Sequence, residues 1–92
     1  MSTEFEWDAF KAAANFAKYG VSFDEAASAF LDPMGLSGRD PDHSTAESRY
    51  LTFAYSRLGQ LLAISHTYWA GSIRLISARR VTRAERKMYE EN

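Results

Sequence analysis

Cysteine is absent from the 92-residue chain, which removes disulfides, thiolate zinc sites and a thiol nucleophile, and nothing asks for an oxidising compartment. Proline occurs only as Pro33 and Pro41, and no low-complexity stretch or internal repeat divides the chain, so no interdomain linker is expected. No apolar run approaches the ~18 residues of a membrane span. The opening Ser2, Thr3, Glu4, Phe5 and Glu6 hold no basic stretch leading into an apolar one, so a secretory leader is not expected and the chain reads as cytoplasmic. A Gly-rich phosphate loop, His-Glu-x-x-His, Gly-x-Ser-x-Gly and a dinucleotide fingerprint are missing too, and with them the usual grounds for expecting a cofactor.

What is present suffices for one core. Hydrophobic residues make up 46% and aromatics 14%, so residues 1–92 are expected to form a single domain. Its small size leaves a thin stability margin, which association with a partner would widen. The net charge of −1 conceals a division: residues 1–48 carry three cations against nine anions, net −6, and residues 49–92 carry eight against three, net +5. Seven of those eight cations are arginine, whose planar fork matches phosphate and carboxylate geometry. The second half is therefore either an anion-binding surface or a solvated face that balances the acidic half.

Glu4–Trp7 alternates, with Phe5 and Trp7 on one face, as a brief first strand does. Asp8 is suited to cap a helix over residues 9–18, in which Phe10, Ala13, Ala14 and Ala17 form one apolar stripe, the pattern of a core-facing helix. Gly20 ends that helix, and after Val21 a capping box of Ser22 and Glu25 opens a second one that runs to Asp32–Pro33. So short a joint predicts a helical hairpin. Met34–Ser37 fits a strand and Gly38–Ser44 a loop. Arg49–Ser56, Leu61–Tyr68 and Ser72–Ala78 follow period two, joined around Gly59 and Gly71 as an antiparallel meander. Thr82 and Glu85 form another capping box for a charged terminal helix containing Ala84, Met88 and Tyr89. The order predicts an α+β fold, with the N-terminal helical hairpin and the C-terminal helix packed on a mostly antiparallel sheet.

Few side chains are grouped for chemistry. Asp40, Asp42 and His43 crowd one turn, where carboxylates ordinarily satisfy backbone donors, and with only His66 elsewhere as an imidazole they make a poor metal shell; no metal site is expected. His66 alternates with Leu62 and Ile64, which suits a hydrogen-bonded core histidine better than a catalyst. Tyr55, Tyr68 and Trp69 stand near hairpin ends, placed either to stack on unpaired bases or to pack against neighbours. Along Arg74–Arg80, strict alternation puts Arg74, Ile76, Ala78 and Arg80 on one face and Ile73, Leu75, Ser77 and Arg79 on the other. Only one of the two terminal arginines then faces any one ligand.

Phe5–Glu6–Trp7–Asp8, Asn15, Lys18–Tyr19–Gly20–Val21–Ser22–Phe23, Glu25–Ala26, Phe30 with Asp32–Pro33, Asp42–His43, Glu47 with Arg49, Arg74–Leu75–Ile76–Ser77–Ala78–Arg79–Arg80, Glu85 and Tyr89 together resemble the BrnT toxins. The resemblance holds in order and spacing over nearly the whole chain. It implies a RelE-like fold, RNA cleavage without a metal or cofactor, and neutralisation by a BrnA-type antitoxin with a ribbon-helix-helix DNA-binding domain. The implied assembly is a hetero-oligomer with two copies of each chain, which meets DNA only through the antitoxin. RNA carries its own nucleophile, the 2′-hydroxyl, so such an enzyme need only orient it, move protons and stabilise the phosphorane charge. On that basis the resemblance implies catalytic roles for Lys18, Tyr19, Glu47, Arg49, Arg79, Arg80 and Tyr89, and substrate contacts from Arg74, Tyr68 and Trp69.

Relatives usually carry histidine where this chain has Tyr19, and a phenol, with an unperturbed pKa of ~10, is a poor base at neutral pH. They often carry charged residues in place of Tyr68–Trp69 and glycine in place of Ala54. Two readings are therefore carried forward: an endoribonuclease toxin that arrests growth, and a decayed, non-catalytic homologue that acts only as an antitoxin-binding partner. Direct DNA binding has only the terminal arginines in its favour, with no recognition-helix pattern. The charge division also predicts that an acidic or amphipathic antitoxin segment covers the arginine-rich half, anchored at Trp69 or Tyr68.

Overall fold

Local signals begin and end most elements of the chain, for which the computed structural model describes residues 3–40 and 48–92. In order these are β1 (Glu4–Glu6), α1 (Ala9–Tyr19), α2 (Phe23–Ser28) continued by a 3₁₀ turn at Ala29–Leu31, β2 (Leu36–Arg39), β3 (Tyr50–Tyr55), β4 (Leu61–Trp69), β5 (Ser72–Arg80) and α3 (Arg83–Glu90). The Asp8 carboxylate accepts from the Phe10 and Lys11 amides at 2.7 and 3.2 Å, satisfying donors that the first turn of α1 leaves free. Gly20, at φ +72°, closes α1 with its amide on the Phe16 carbonyl. Thr82 and Glu85 form the reciprocal capping box expected for α3.

At α2 the box is only half made. The Ser22 hydroxyl accepts from the Glu25 amide, but the buried Glu25 carboxylate turns away to accept from Ser56 Oγ at 2.7 Å and Gln60 Nε2 at 2.8 Å. Glu25 thus ties α2 to the β3–β4 hairpin instead of closing its own helix. The expected strand at Met34–Ser37 lies two residues further on, because Asp32 holds the Met34 amide in a turn and Gly38 and Arg39 pair with β3.

The sheet has the order β1-β5-β4-β3-β2, with β1 parallel to β5 and every other pair antiparallel. The β4–β5 hairpin turns on Ala70 (φ +49°) and Gly71 (φ +85°), two left-handed residues whose twist matches the strands they join. One face is covered by helix: Val21, Phe23, Ala26 and Ala29 pack on Ala54, Leu62, Ile64, Ile73, Leu75 and Ala78. Both α1 and α2 rest on β5 rather than mainly on one another, so the two helices do not form the expected hairpin. Among the described residues, no helix is long and apolar enough to cross a membrane.

The expected core stripe of α1 is also reversed. Asn15 is the buried residue of the helix, while Phe10, Ala13, Ala14 and Ala17 face solvent. The physical reason is the sheet edge. β1 pairs only with Ser72–Arg74, leaving the Ala78 amide and carbonyl of β5 without a strand partner on that side. The Asn15 amide takes the missing place, accepting from Ala78 N at 3.0 Å and donating to Ala78 O at 2.9 Å, with a further bond to Val21 O at 2.9 Å. Three buried hydrogen bonds outweigh the burial of a few alanine methyls.

A second departure is a bulge. Ser65 pairs with Ser77, but His66 pairs with Leu75, leaving Ile76 as an extra residue in β5. Strict alternation fails there: Ile73, Leu75 and Ala78 share the helix-covered face, and Arg74, Ser77 and Arg79 share the other. His66 lies fully buried on the helix-covered side, where its Nε2 bonds Thr52 Oγ1 at 2.7 Å and Thr52 in turn bonds Ser37 Oγ at 2.7 Å. Phe30 meets the imidazole edge to face at 5.0 Å, and burial pulls its pKa down to about 4. It is a neutral core histidine.

Candidate active site

The register aims Leu36, Leu51, Phe53, Ala63, Ser65 and Ser77 at the sheet face that α1 and α2 leave open. α3 crosses one end of this face, held by its Tyr89 ring on Tyr55 at 5.4 Å and by Met88 and Glu85 along the rim. Between them lies a cleft of about 750 Å³, with an apolar floor of Leu51, Phe53 and Ala63 and a charged rim of Arg39, Asp40, Arg49, Arg79 and Glu85. A wide, apolar-floored cleft with convergent charged groups at its edge is suited to an extended ligand with bases and phosphates.

Arg79 is the best-defined group in the cleft. Its Nη1 and Nη2 donate to the two Glu85 oxygens at 2.8 and 3.0 Å, a parallel fork, while Nη1 also reaches the Arg80 carbonyl at 3.2 Å. Glu85 is itself fixed, because Oε1 accepts from the Thr82 amide at 2.9 Å. The bond from Arg79, aided by those from Thr82, holds the Glu85 carboxyl below the usual carboxylate range against the opposing effect of burial. The same pairing raises the Arg79 pKa, and Tyr19 and Asp40 lie near enough to add smaller effects in that direction. The guanidinium is therefore permanently charged and aimed, and its side chain is one-third exposed, 35%, so a phosphate can approach it.

Of the other expected site residues, Arg49 lines the same cleft. Lys18 and Tyr19 sit at the end of α1, the Lys18 ammonium 5.1 Å from the Tyr19 ring; neither lines the cleft, but Tyr19 lies near enough to Arg79 to favour its charge. Arg80 is not brought in: it lies opposite Leu62, on the helix-covered side of β5. Tyr89 points away from the cleft, its hydroxyl donating to Asp32 at 2.7 Å, a bond that pushes its pKa up to about 12. Arg74 shares the open face but lies towards the hairpin, paired with Glu6 at 2.7 Å and 5.1 Å from the Trp69 ring. Tyr68 packs on Tyr50 and His66 at 5.1 and 5.6 Å, on the helix side. Glu47, Asp42 and His43 lie outside the described residues.

Arg39 and Asp40 reach the cleft rim from a segment whose sequence reads as a loop, with Asp40 weighed there only as a metal ligand, and Glu85 does more than the capping its sequence predicts. The available signal for Glu85 was its position six residues after Arg79, across a strand-to-helix turn. Among the described residues, no three His, Asp or Glu side chains gather as a metal-binding group.

The family model described as "Ribonuclease toxin, BrnT, of type II toxin-antitoxin system" matches residues 7–85, a span that includes Lys18, Arg49, Arg79 and Glu85 but not Tyr89. The 1.1 Å crystal structure of the Brucella abortus ribonuclease toxin, BrnT, is similar in fold, with a TM-score of 0.64 at 18% identity over 89% of this chain and 100% of that one. No curated protein matches the chain by sequence.

Proposed function

The chain belongs to the BrnT ribonuclease toxin family of type II toxin–antitoxin systems, and we propose that it cleaves RNA in the cleft on the open face of the sheet, by a RelE-like route. The observation that carries this reading is the Arg79 fork, aimed by Glu85 beside Arg49 over an apolar floor. In the reaction the 2′-hydroxyl oxygen bonds to the adjacent phosphorus and the P–O5′ bond breaks. The 2′-hydroxyl proton leaves to a base and another proton goes to the departing 5′-oxygen, giving a 2′,3′-cyclic phosphate and a 5′-hydroxyl. No metal is required for that balance.

Arg79 and Arg49 neutralise the phosphorane oxygens, Glu47 takes the 2′-hydroxyl proton, and Lys18 and Tyr19 supply hydrogen bonds from the α1 end. Arg74 extends the contact to a flanking phosphate, Trp69 offers stacking surface near the hairpin, and Tyr89 acts by holding α3 in place, while Arg80 and Tyr68 lie across the sheet from this cleft. The partner of a type II toxin is its antitoxin. We assign a BrnA-type ribbon-helix-helix protein, two copies of each chain, and a cytoplasmic setting.

The test is single-stranded RNA cleavage by purified protein in excess chelator. Wild type is expected to cut, and Arg79→Ala to cut ~100-fold more slowly or worse, the usual cost of losing one charge-stabilising donor. An unchanged rate in Arg79→Ala overturns the assignment. Tyr19 favours one second reading, a toxin that binds antitoxin but no longer cuts; wild type inert on RNA yet tightly bound by antitoxin would establish it.

A further inference from the structure

The outward face of α1 is apolar, and none of the described residues covers it. Around the helix, Phe16, Ala9, Ala13, Ala17 and Phe10 follow one another without a polar residue, all exposed, and Ala14 completes the arc, while Ala12 at its edge packs on the core. Phe10 is 87% and Phe16 57% exposed. The polar residues Lys18, Lys11, Asn15 and Tyr19 occupy the other side, where Asn15 is bonded to β5. Amphipathic helices normally turn their apolar stripe to the core, so one that buries its asparagine and exposes its phenylalanine has a stripe made for another molecule.

We infer that this face is the docking surface for an amphipathic helix of the antitoxin, one with small or apolar residues against Ala13, Ala14 and Ala17, a pocket for Phe10, and carboxylates along the flank of Lys11 and Lys18. This rests on the toxin reading above. Three observations select that occupant. Lys11 and Lys18 are the only Lys or Arg residues before Arg39, and both lie on one flank of this helix, two turns apart. The alanines allow close helix approach. A second copy of the chain fits poorly: an antiparallel two-fold pairing of α1 with itself sets lysines against lysines, and a parallel one aligns the helix dipoles.

Size argues the same way. An 11-residue helix is ~16 Å long and, paired with its twin alone, falls short of the ~800 Å² per partner of a stable interface. A separate chain can continue from this helix to other contacts. The C-terminal end of α1 carries Lys18 and Tyr19, so a helix lying along it ends beside the candidate site and inhibits there. Trp69 and Tyr68 are 58% and 57% exposed and stay open to the same antitoxin as further contacts, with Arg74 over Trp69 and Tyr50 and His66 beside Tyr68.

The test uses the full chain and its cognate antitoxin. Phe10→Ser and Ala14→Glu, both at exposed positions, are expected to weaken the complex ~30-fold or more by calorimetry, the scale of losing an interface anchor. Both should leave RNA cleavage by the free toxin unchanged while making it resistant to antitoxin. Lys11→Glu should weaken binding less and flatten its salt dependence. Loss of binding in Phe10→Ser and Ala14→Glu supports the docking surface even if wild type proves inert on RNA, which would refute only the nuclease reading. Affinity unchanged in all three variants overturns the inference. So does a wild-type dimer in sedimentation that Ala14→Glu dissociates, since the face then belongs to a second copy.

Discussion

Asn15→Ala is the sharpest test of how the fold is pinned. The substitution strands three buried groups at once, the Ala78 amide, the Ala78 carbonyl and the Val21 carbonyl, at the place where β1 is too short to serve them. Each buried group left unpaired costs ~1–3 kcal/mol, offset by ~0.6 kcal/mol from the better helix propensity of alanine. Allowing for partial access of water to the strand edge, the expected loss is ~3–5 kcal/mol. A domain of this length has ~5–14 kcal/mol in all, so α1 should detach or the protein should melt ~15–30 °C lower. Asn15→Asp separates the contributions. It keeps the acceptor for the Ala78 amide but sets a carboxylate against two carbonyls, and should be at least as damaging at pH 7 and partly restored when protonated. Urea unfolding at 25 °C, followed by tryptophan fluorescence, reads both variants. A loss below ~1 kcal/mol for Asn15→Ala would refute the reasoning, since three orphaned buried groups at the low end of that range, less the gain in helix propensity, still cost ~2 kcal/mol.

Ala70 sits at φ +49° in a turn that asparagine or glycine adopts more cheaply, so Ala70→Asn should stabilise by ~1 kcal/mol, seen as a rise of several degrees in Tm; no rise would argue against a left-handed Ala70. Burial lowers the His66 pKa to about 4 from 6.5, so the unfolded chain binds the extra proton between those values and stability falls as pH drops from 6.5 to 4, by ~3 kcal/mol in total. Urea midpoints at pH 7 and pH 5 measure that slope, and His66→Gln should flatten it. Glu85→Gln removes half of the charged fork on Arg79 and should reduce RNA cleavage ~10-fold or more while costing under ~2 kcal/mol of stability; a stability loss with full activity would make Glu85 purely structural.

The caps and strands of this chain were legible because each rests on neighbours in sequence: Asp8, Gly20 and the Thr82–Glu85 pair act within four residues. The three features that build the site act across the chain and were not. The bulge at Ile76 depends on how β5 meets β4, and it alone decides that Arg74 and Arg79 share a face. The orientation of α1 follows from the unpaired edge at Ala78, 63 residues from Asn15. A period of 3.6 in apolar residues reported correctly that α1 has a face to bury, but not that the buried face would be the polar one. The Arg79–Glu85 fork needed the strand-to-helix turn to be closed before either residue had a partner.

The central claim, metal-independent cleavage by the 2′-hydroxyl at the Arg79 cleft, is tested most directly with one RNA oligonucleotide in excess chelator, made with and without a single 2′-deoxy sugar at its cut site. The account predicts that wild type cuts the all-ribose strand to a 2′,3′-cyclic phosphate and a 5′-hydroxyl, and leaves the 2′-deoxy linkage intact. Cleavage of the 2′-deoxy linkage, or cleavage only after a divalent metal is restored, would contradict it.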